Sequence, residues 1–397
     1  MTPTRLTLLA LVGAALAAPP VEAQDRQVLT TAVPFLQIEP DSRASGMGMT
    51  GVAIADNAYA LFWNPAGLAT QSGAQVSFTH APWLPALGAD LSYEHLTGTY
   101  GLGAAGTLGG HLTYFDLGTQ IATDERGESL GEFSSYEIAA GLSYGYPVTE
   151  NLSVGTGARF IYSNLTGGRS VGEAGTNAGI SVGVDLGVKY TAPDIGLGQS
   201  SRPSFAFNLA NFGPRISYTA DNEFPDAIPM TLRFGTALDT QLDEFNRVVL
   251  ALDLNKILVN GKVNEEGNLE FDPFYTALFS SWASREVAAT ADPEGRNCDE
   301  RREAIATDDT VVLCETVSAL NSLTLGTGLE YWYNDLLALR GGYFYEDPAN
   351  GNRQFLTLGT GIRYSLVGVD ISYIYALEED SPLSQQLRFS LLLNVPR

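Results

Sequence analysis

The chain has 397 residues, of which 45 are Asp or Glu and 22 are Lys or Arg, giving a formal charge of −23. With no basic surface to neutralise phosphates, it is not a nucleic-acid-binding protein. A hydrophobic fraction of 45 % also excludes a disordered acidic chain.

The first residues read as a targeting segment. Arg5 supplies the positive charge and Leu6 to Ala18 the apolar run. Val21-Glu22-Ala23 then offers small residues at the −3 and −1 positions of a cleavage site. Residues 1–23 are therefore expected to be a signal peptide. The run is too short to span a bilayer comfortably, and no later apolar stretch is long enough for a membrane helix. Export without a helical anchor leaves a periplasmic protein, a secreted one or an outer-membrane barrel.

Residues 24–73 precede the first strand and are expected to form a plug. Gly46-Met-Gly48-Met-Thr-Gly51 matches the spacing of a dinucleotide fingerprint, which needs an apolar strand before it and a long helix after it. Here Glu39-Pro40-Asp41-Ser42-Arg43 precedes it, so the glycines read as close-packing positions within the plug.

Alternation carries the fold. In Ile180-Ser-Val182-Gly-Val184-Asp185-Leu186-Gly-Val188-Lys189-Tyr190 one phase is apolar and the other is Gly, Ser or charged. The same partition places Arg159, Arg233, Asp253, Glu330, Arg340, Arg363, Asp370 and Arg388 opposite the apolar rows of their own segments. A period of two puts the rows on opposite faces. Lipid outside and a polar lumen inside produce that partition, because a charge facing hydrocarbon costs several kcal/mol. A large soluble β-sandwich with one wet face alternates similarly. Long strands, Gly on the inner phase and the signal peptide favour a closed barrel.

Fourteen strands are expected, at 74–80, 90–100, 102–116, 131–146, 151–165, 177–191, 202–211, 228–240, 245–256, 320–333, 336–346, 353–365, 369–377 and 383–393. The fold class is thus all-β, a 14-stranded transmembrane outer-membrane barrel over 74–397. The even count is that of single-chain bacterial barrels. If the plug starts in the periplasm, the short turns lie on that side, and longer loops such as 117–130, 166–176, 212–227 and 257–319 are extracellular.

The 257–319 loop holds Asp272-Pro273, which reads as N-cap and N1 of a short helix. Phe274, Leu278, Phe279 and Trp282 follow at helical spacing, either as a lid on the barrel mouth or as a docking element for a partner. Both cysteines, Cys298 and Cys314, fall in the acidic stretch beyond and are expected to pair as a disulfide in an exported protein. His80, His95 and His111 lack metal-ligand spacing and read as interfacial or lumen residues. Acid runs such as Asp308-Asp309 and Glu378-Glu379-Asp380 read as solvated loop acids. No nucleophile elbow, zinc-protease or phosphate-loop motif occurs, so no catalytic residue, cofactor or metal site is assigned.

A resemblance rests on strings in four stretches of the chain. Gly46-Met-Gly48 followed by Asn64-Pro65-Ala66-Gly67-Leu68 resembles the N-terminal plug of FadL-type barrels, and the fuller string Pro34-Phe35-Leu36 through Pro40-Asp41-Ser42-Arg43-Ala44 resembles, more specifically, the PorV branch of them. Leu254 to Val259, Glu330-Tyr-Trp-Tyr-Asn334 through Arg340 to Glu346, and Leu387-Arg388-Phe389-Ser390-Leu391 resemble the same branch. The resemblance implies a plugged 14-stranded barrel of the type IX secretion system. Its partners would be a SprA/Sov-type translocon, a PorU-type sortase with its attachment complex, and secreted cargo bearing a C-terminal signal domain, in an outer membrane of lipid and lipopolysaccharide. It would act as a shuttle without catalytic residues. The acidic 285–316 stretch departs from the family pattern, and the chain ends Asn394-Val395-Pro396-Arg397 rather than on an aromatic residue. A FadL-like transporter of hydrophobic compounds is the competing reading, and a soluble periplasmic enzyme a third.

Overall fold

The computed structural model describes residues 30–87, 90–124, 126–168, 178–219, 225–263, 269–288, 314–378 and 381–396. The 1–23 segment and Cys298, hence the expected Cys298–Cys314 pair, lie outside the described residues. Residues 28–285 with 316–397 make up the larger of two units into which the chain divides. The larger unit is a closed antiparallel barrel of fourteen strands.

Nine strands precede the long loop: β1 Ala74–Trp83, β2 Leu91–Gly101, β3 Thr107–Thr123, β4 Ser129–Pro147, β5 Leu152–Asn164, β6 Gly179–Thr191, β7 Ser200–Phe212, β8 Thr231–Gln241 and β9 Asn246–Ile257. Five follow it: β10 Leu323–Tyr333, β11 Leu337–Glu346, β12 Gln354–Tyr364, β13 Val367–Ala376 and β14 Gln386–Val395. Each pairs with its sequence neighbour, β9 with β10 across the long loop, and β1 with β14 through the rungs Ala74↔Val395 to His80↔Phe389. Closure leaves no free edge, as backbone groups in hydrocarbon require.

Side chains divide as the alternation predicts. On β6, Ile180, Val182, Val184, Leu186, Val188 and Tyr190 are exposed on the outer surface, whereas Ser181, Asp185 and Lys189 are buried inside. An apolar outer wall and a polar interior are the partition of a barrel immersed in lipid. Among the described residues no helix is long and apolar enough to cross a membrane.

Short turns cluster at one end, including 148–151, 334–336 and 365–366, and the longer connections 213–230 and 258–322 at the other. One expected loop is mostly strand. β3 and β4 run on past 117 and down to 129, so that only residues 124–128 turn, with Asp124 Oδ1 accepting from the Arg126 and Glu128 amides. Beyond Leu117 these added rungs are mostly exposed and they follow a register shift after Asp116, so they carry no two-phase pattern.

Residues 30–73 occupy the lumen. They form a 3-10 turn at Pro34–Gln37, α1 at Ser42–Ser45, α2 at Ala60–Trp63 and a second 3-10 turn at Pro65–Thr70. The inner-phase glycines of the wall make room for them. A Cβ at Gly155 would stand 2.2 Å from the Pro65 carbonyl carbon, one at Gly187 2.0 Å from Asn64 Oδ1, and one at Gly342 2.1 Å from the Gly48 nitrogen. Inner backbone therefore rests directly on wall backbone.

Candidate functional site

The lumen segment is fastened by charge. Asp41 caps α1 by accepting from the Ala44 amide and takes the Trp63 indole N–H at 2.8 Å. This turns Arg43 toward the wall. Its Nε and Nη2 donate to the two Glu330 oxygens at 2.8 and 2.7 Å, and its Nη1 reaches Asp56 at 2.6 Å. Glu330 also accepts from Arg340 Nε at 2.6 Å, Arg340 Nη1 reaches Asp370 at 2.8 Å, and Arg363 Nη2 closes on Asp370 at 2.6 Å. The result is a ladder of alternating sign, Asp56–Arg43–Glu330–Arg340–Asp370–Arg363, with as many carboxylates as guanidiniums. Glu330 and Arg340 are wholly buried. Such groups are tolerable only because each is paired and hydrogen-bonded. Arg340 and Arg363 also lie over the Trp332 ring at 5.5 and 5.4 Å.

Further contacts tie the segment around the wall. Ser42 is bonded through its amide and hydroxyl to Ser390 Oγ, which also meets Thr79, itself bonded to the Tyr59 hydroxyl at 2.7 Å. Arg388 donates to the Glu39 carbonyl and, at 2.6 Å, to Ser45 Oγ. Asp253 accepts from the Gly51 and Val52 amides at 2.7 and 2.9 Å. Arg233 donates to the Phe62 carbonyl while lying 4.6 Å over the Phe62 ring.

The sequence strings singled out above thus touch one another. Ser42 meets Ser390 and Arg43 meets Glu330, which Arg340 also grips, while Glu39 and Ser45 on either side of them take Arg388. Gly48, at φ 65, sits against the carbonyls of Thr327 and Tyr343, and the Gly51 Cα lies against the Trp63 ring. Gly46 faces Gly359. Asn64 caps the turn that Pro65 begins and donates to the Val188 carbonyl at 3.1 Å. Phe35 is buried and stacks on Phe115 at 6.4 Å, with Pro34 beside it. His95 and His111 stack at 5.8 Å inside the wall, while His80 pairs with Glu94 outside. What sequence reasoning missed is that the inner-phase charges are partners of the lumen segment. The turn at 334–336 already sets Glu330 opposite Arg340, which was the available signal.

Toward the long-loop end the segment leaves a cavity of about 480 Å³. Phe115, Phe344, Phe355 and Ile374 give it an apolar wall, and Arg233, Arg353 and Glu346 a charged one. Phe344 and Phe355 are stacked at 4.6 Å.

The long loop forms α3 over Phe274–Ser280. Asp272 does not cap it. Its carboxylate instead accepts from the Ser280 hydroxyl and from Asn260 Nδ2, which hold it below the usual carboxylate range against the opposing effect of desolvation. The four apolar residues do not share one environment. Phe274 packs edge-on against Phe212 at 4.7 Å and Leu278 joins a cluster with Met230 and Leu258, whereas Phe279 and Trp282 are exposed. Nor is α3 a lid over the mouth, since Leu209, Phe212 and Leu232 beneath it belong to the outward row of the wall, in phase with Phe207, Val184 and Phe234.

The model of a family described as type IX secretion system protein PorV matches residues 21–264. No curated protein matches the chain. Among solved structures, the chain is similar to the Ralstonia pickettii toluene transporter TbuX, at 16 % identity over 90 % of this chain and 98 % of that one, with a TM-score of 0.49. The Pseudomonas putida toluene transporter TodX gives 15 %, 89 %, 96 % and 0.45, and a Pseudomonas aeruginosa FadL homologue 12 %, 92 %, 99 % and 0.44.

Proposed function

The chain belongs to the PorV family of type IX secretion proteins, and from that premise we propose that it is a shuttle, binding secreted cargo by its C-terminal signal domain at the translocon and delivering it to the surface attachment complex. It is an outer-membrane β-barrel. In this reading its partners are a SprA/Sov-type translocon, cargo, and a PorU-type sortase, and the long-loop end faces the cell exterior. The observation that carries the reading beyond family membership is the fastening of the lumen segment. A ladder of buried ion pairs from Arg43 to Arg363 fills the interior with fixed structure, which leaves the loops as the working surface.

The test is a mild-detergent pull-down from the native outer membrane with mass spectrometry of what accompanies the barrel. Secreted proteins sharing one C-terminal β-domain, together with a giant barrel or a sortase, are the expected result. Recovery of the barrel alone, carrying an apolar molecule, would overturn it. Such recovery would favour the second reading, a FadL-like transporter of hydrophobic compounds, which the 480 Å³ cavity with its aromatic wall supports. Uptake of a labelled alkane, lost on deletion, would decide for that reading.

A further inference from the structure

An apolar helix face lies exposed on the outside of the barrel. In α3, Phe279 is 80 % exposed and Tyr275 60 %, and Trp282, one turn on, is 45 % exposed. The opposite face of α3 is seated on the wall through Phe274 against Phe212 and through Leu278 and Ala277 near Leu209 and Leu232. Those wall residues continue the row in which Phe205, Phe207 and Phe234 stand exposed. The helix therefore lies along the upper edge of the surface that meets lipid, and its outer face extends that surface rather than facing the lumen.

A second observation fixes the height. The outward row of β9 runs Leu250, Leu252, Leu254 and then Lys256. A lysine in that row would point its charge at lipid. Instead Lys256 is only 3 % exposed, donates to the Ala319 carbonyl at 3.0 Å and to the Ser322 hydroxyl, and lies 5.0 Å under the Trp282 ring. The Trp282 indole N–H is satisfied by the Leu278 carbonyl at 3.1 Å, so its ring is left to cover the ammonium and face outward. Hydrocarbon-facing leucines below and a shielded cation above mark the boundary between hydrocarbon and headgroups, where Trp and Tyr concentrate.

We propose that α3 is an interfacial helix, with Tyr275, Phe279 and Trp282 immersed in the lipid interface at the long-loop end of the barrel. The occupant of this face is lipid. Its aromatic side chains take the place that an in-plane amphipathic helix gives to its apolar face, and they hold α3 down beside the wall. The proposal does not depend on which cargo or translocon the protein serves.

The test uses the whole protein in phosphatidylcholine vesicles brominated either near the glycerol or near the acyl terminus. The Trp282 emission is the difference between the protein and its Trp282→Phe variant, with retention of the folded form in unheated detergent confirming that both are intact. A severalfold quenching of that component by the shallow bromines, with little effect of aqueous iodide, is expected. Quenching by iodide without quenching by bromolipid would overturn the proposal. Should Trp282→Phe fail to fold, Phe279→Trp supplies the reporter, as an added component with the same expected pattern. A photoreactive benzoylphenylalanine in place of Phe279, activated in native outer membranes, separates lipid from protein. Lipid adducts are expected, and a discrete protein adduct would show a protein partner instead and overturn it.

Discussion

Arg43 uses each arm of its guanidinium for a different purpose, gripping Glu330 with Nε and Nη2 and Asp56 with Nη1. Lysine cannot reproduce that fork. Arg43→Lys is therefore expected to lose most of the fastening, and Arg43→Met to cost about 3–5 kcal/mol, the usual penalty for removing one partner of a buried pair. The checking measurement is the midpoint of urea unfolding in detergent, and an unchanged midpoint would remove the ladder from any account of stability. Arg43→Met combined with Glu330→Leu should cost less than the two single changes added together, because the carboxylate no longer lies buried with one partner gone. At this scale the sequence disclosed the charges but not their purpose. Glu330, Arg340, Asp370 and Arg388 were evident as residues off the apolar phase. That Glu330 answers Arg43 and Arg388 answers Glu39 depends on contacts across 287 and 349 positions, which no local spacing encodes.

Elements whose two faces meet different solvents were the readable ones. β6 and β9 could be drawn to within a few residues because lipid and lumen impose opposite demands on alternate positions. The upper rungs of β3 and β4 are mostly exposed on both sides, so their composition resembles a loop. For α3 the helical spacing was visible, but its seat on the outer wall was not, since that depends on where the barrel surface ends. Two predictions belong here. Gly48 holds φ 65, and a Cβ there would stand 2.3 Å from the Thr327 carbonyl oxygen. Gly48→Val should therefore unseat the lumen segment, detected as new proteolytic cleavage before Ala74, while the barrel still migrates as folded in unheated detergent. Asp272, its carboxyl depressed in the folded state, adds stability above the ordinary carboxylate pKa of about 3.9. That contribution is lost as pH falls through its lower folded value. Hydrogen exchange at the Ala277 amide, corrected for its intrinsic rate, should accelerate in acid, and Asp272→Asn should flatten the dependence.

Over the whole molecule, fourteen strands and a packed lumen segment make a wall with little open interior. The protein in a planar bilayer is expected to pass no steady ion current, and removal of residues 30–73 to open one by exposing the inner-phase charges to water. Equal currents from both forms would show that the segment does not seal the barrel. The inner glycines, conspicuous from the sequence as the counterpart of the apolar rows, are explained at this scale by backbone resting on backbone. The bond between Ser42 and Ser390 also orders events in time. Its partners are 348 residues apart, and Ser390 belongs to the strand that pairs with β1 to close the wall. The ribosome makes the Ser42 side of that contact long before the Ser390 side. Through synthesis and passage across the inner membrane, the N-terminal segment therefore travels without its final berth, and its seating and the closing of the seam belong to the last stage of the protein's maturation.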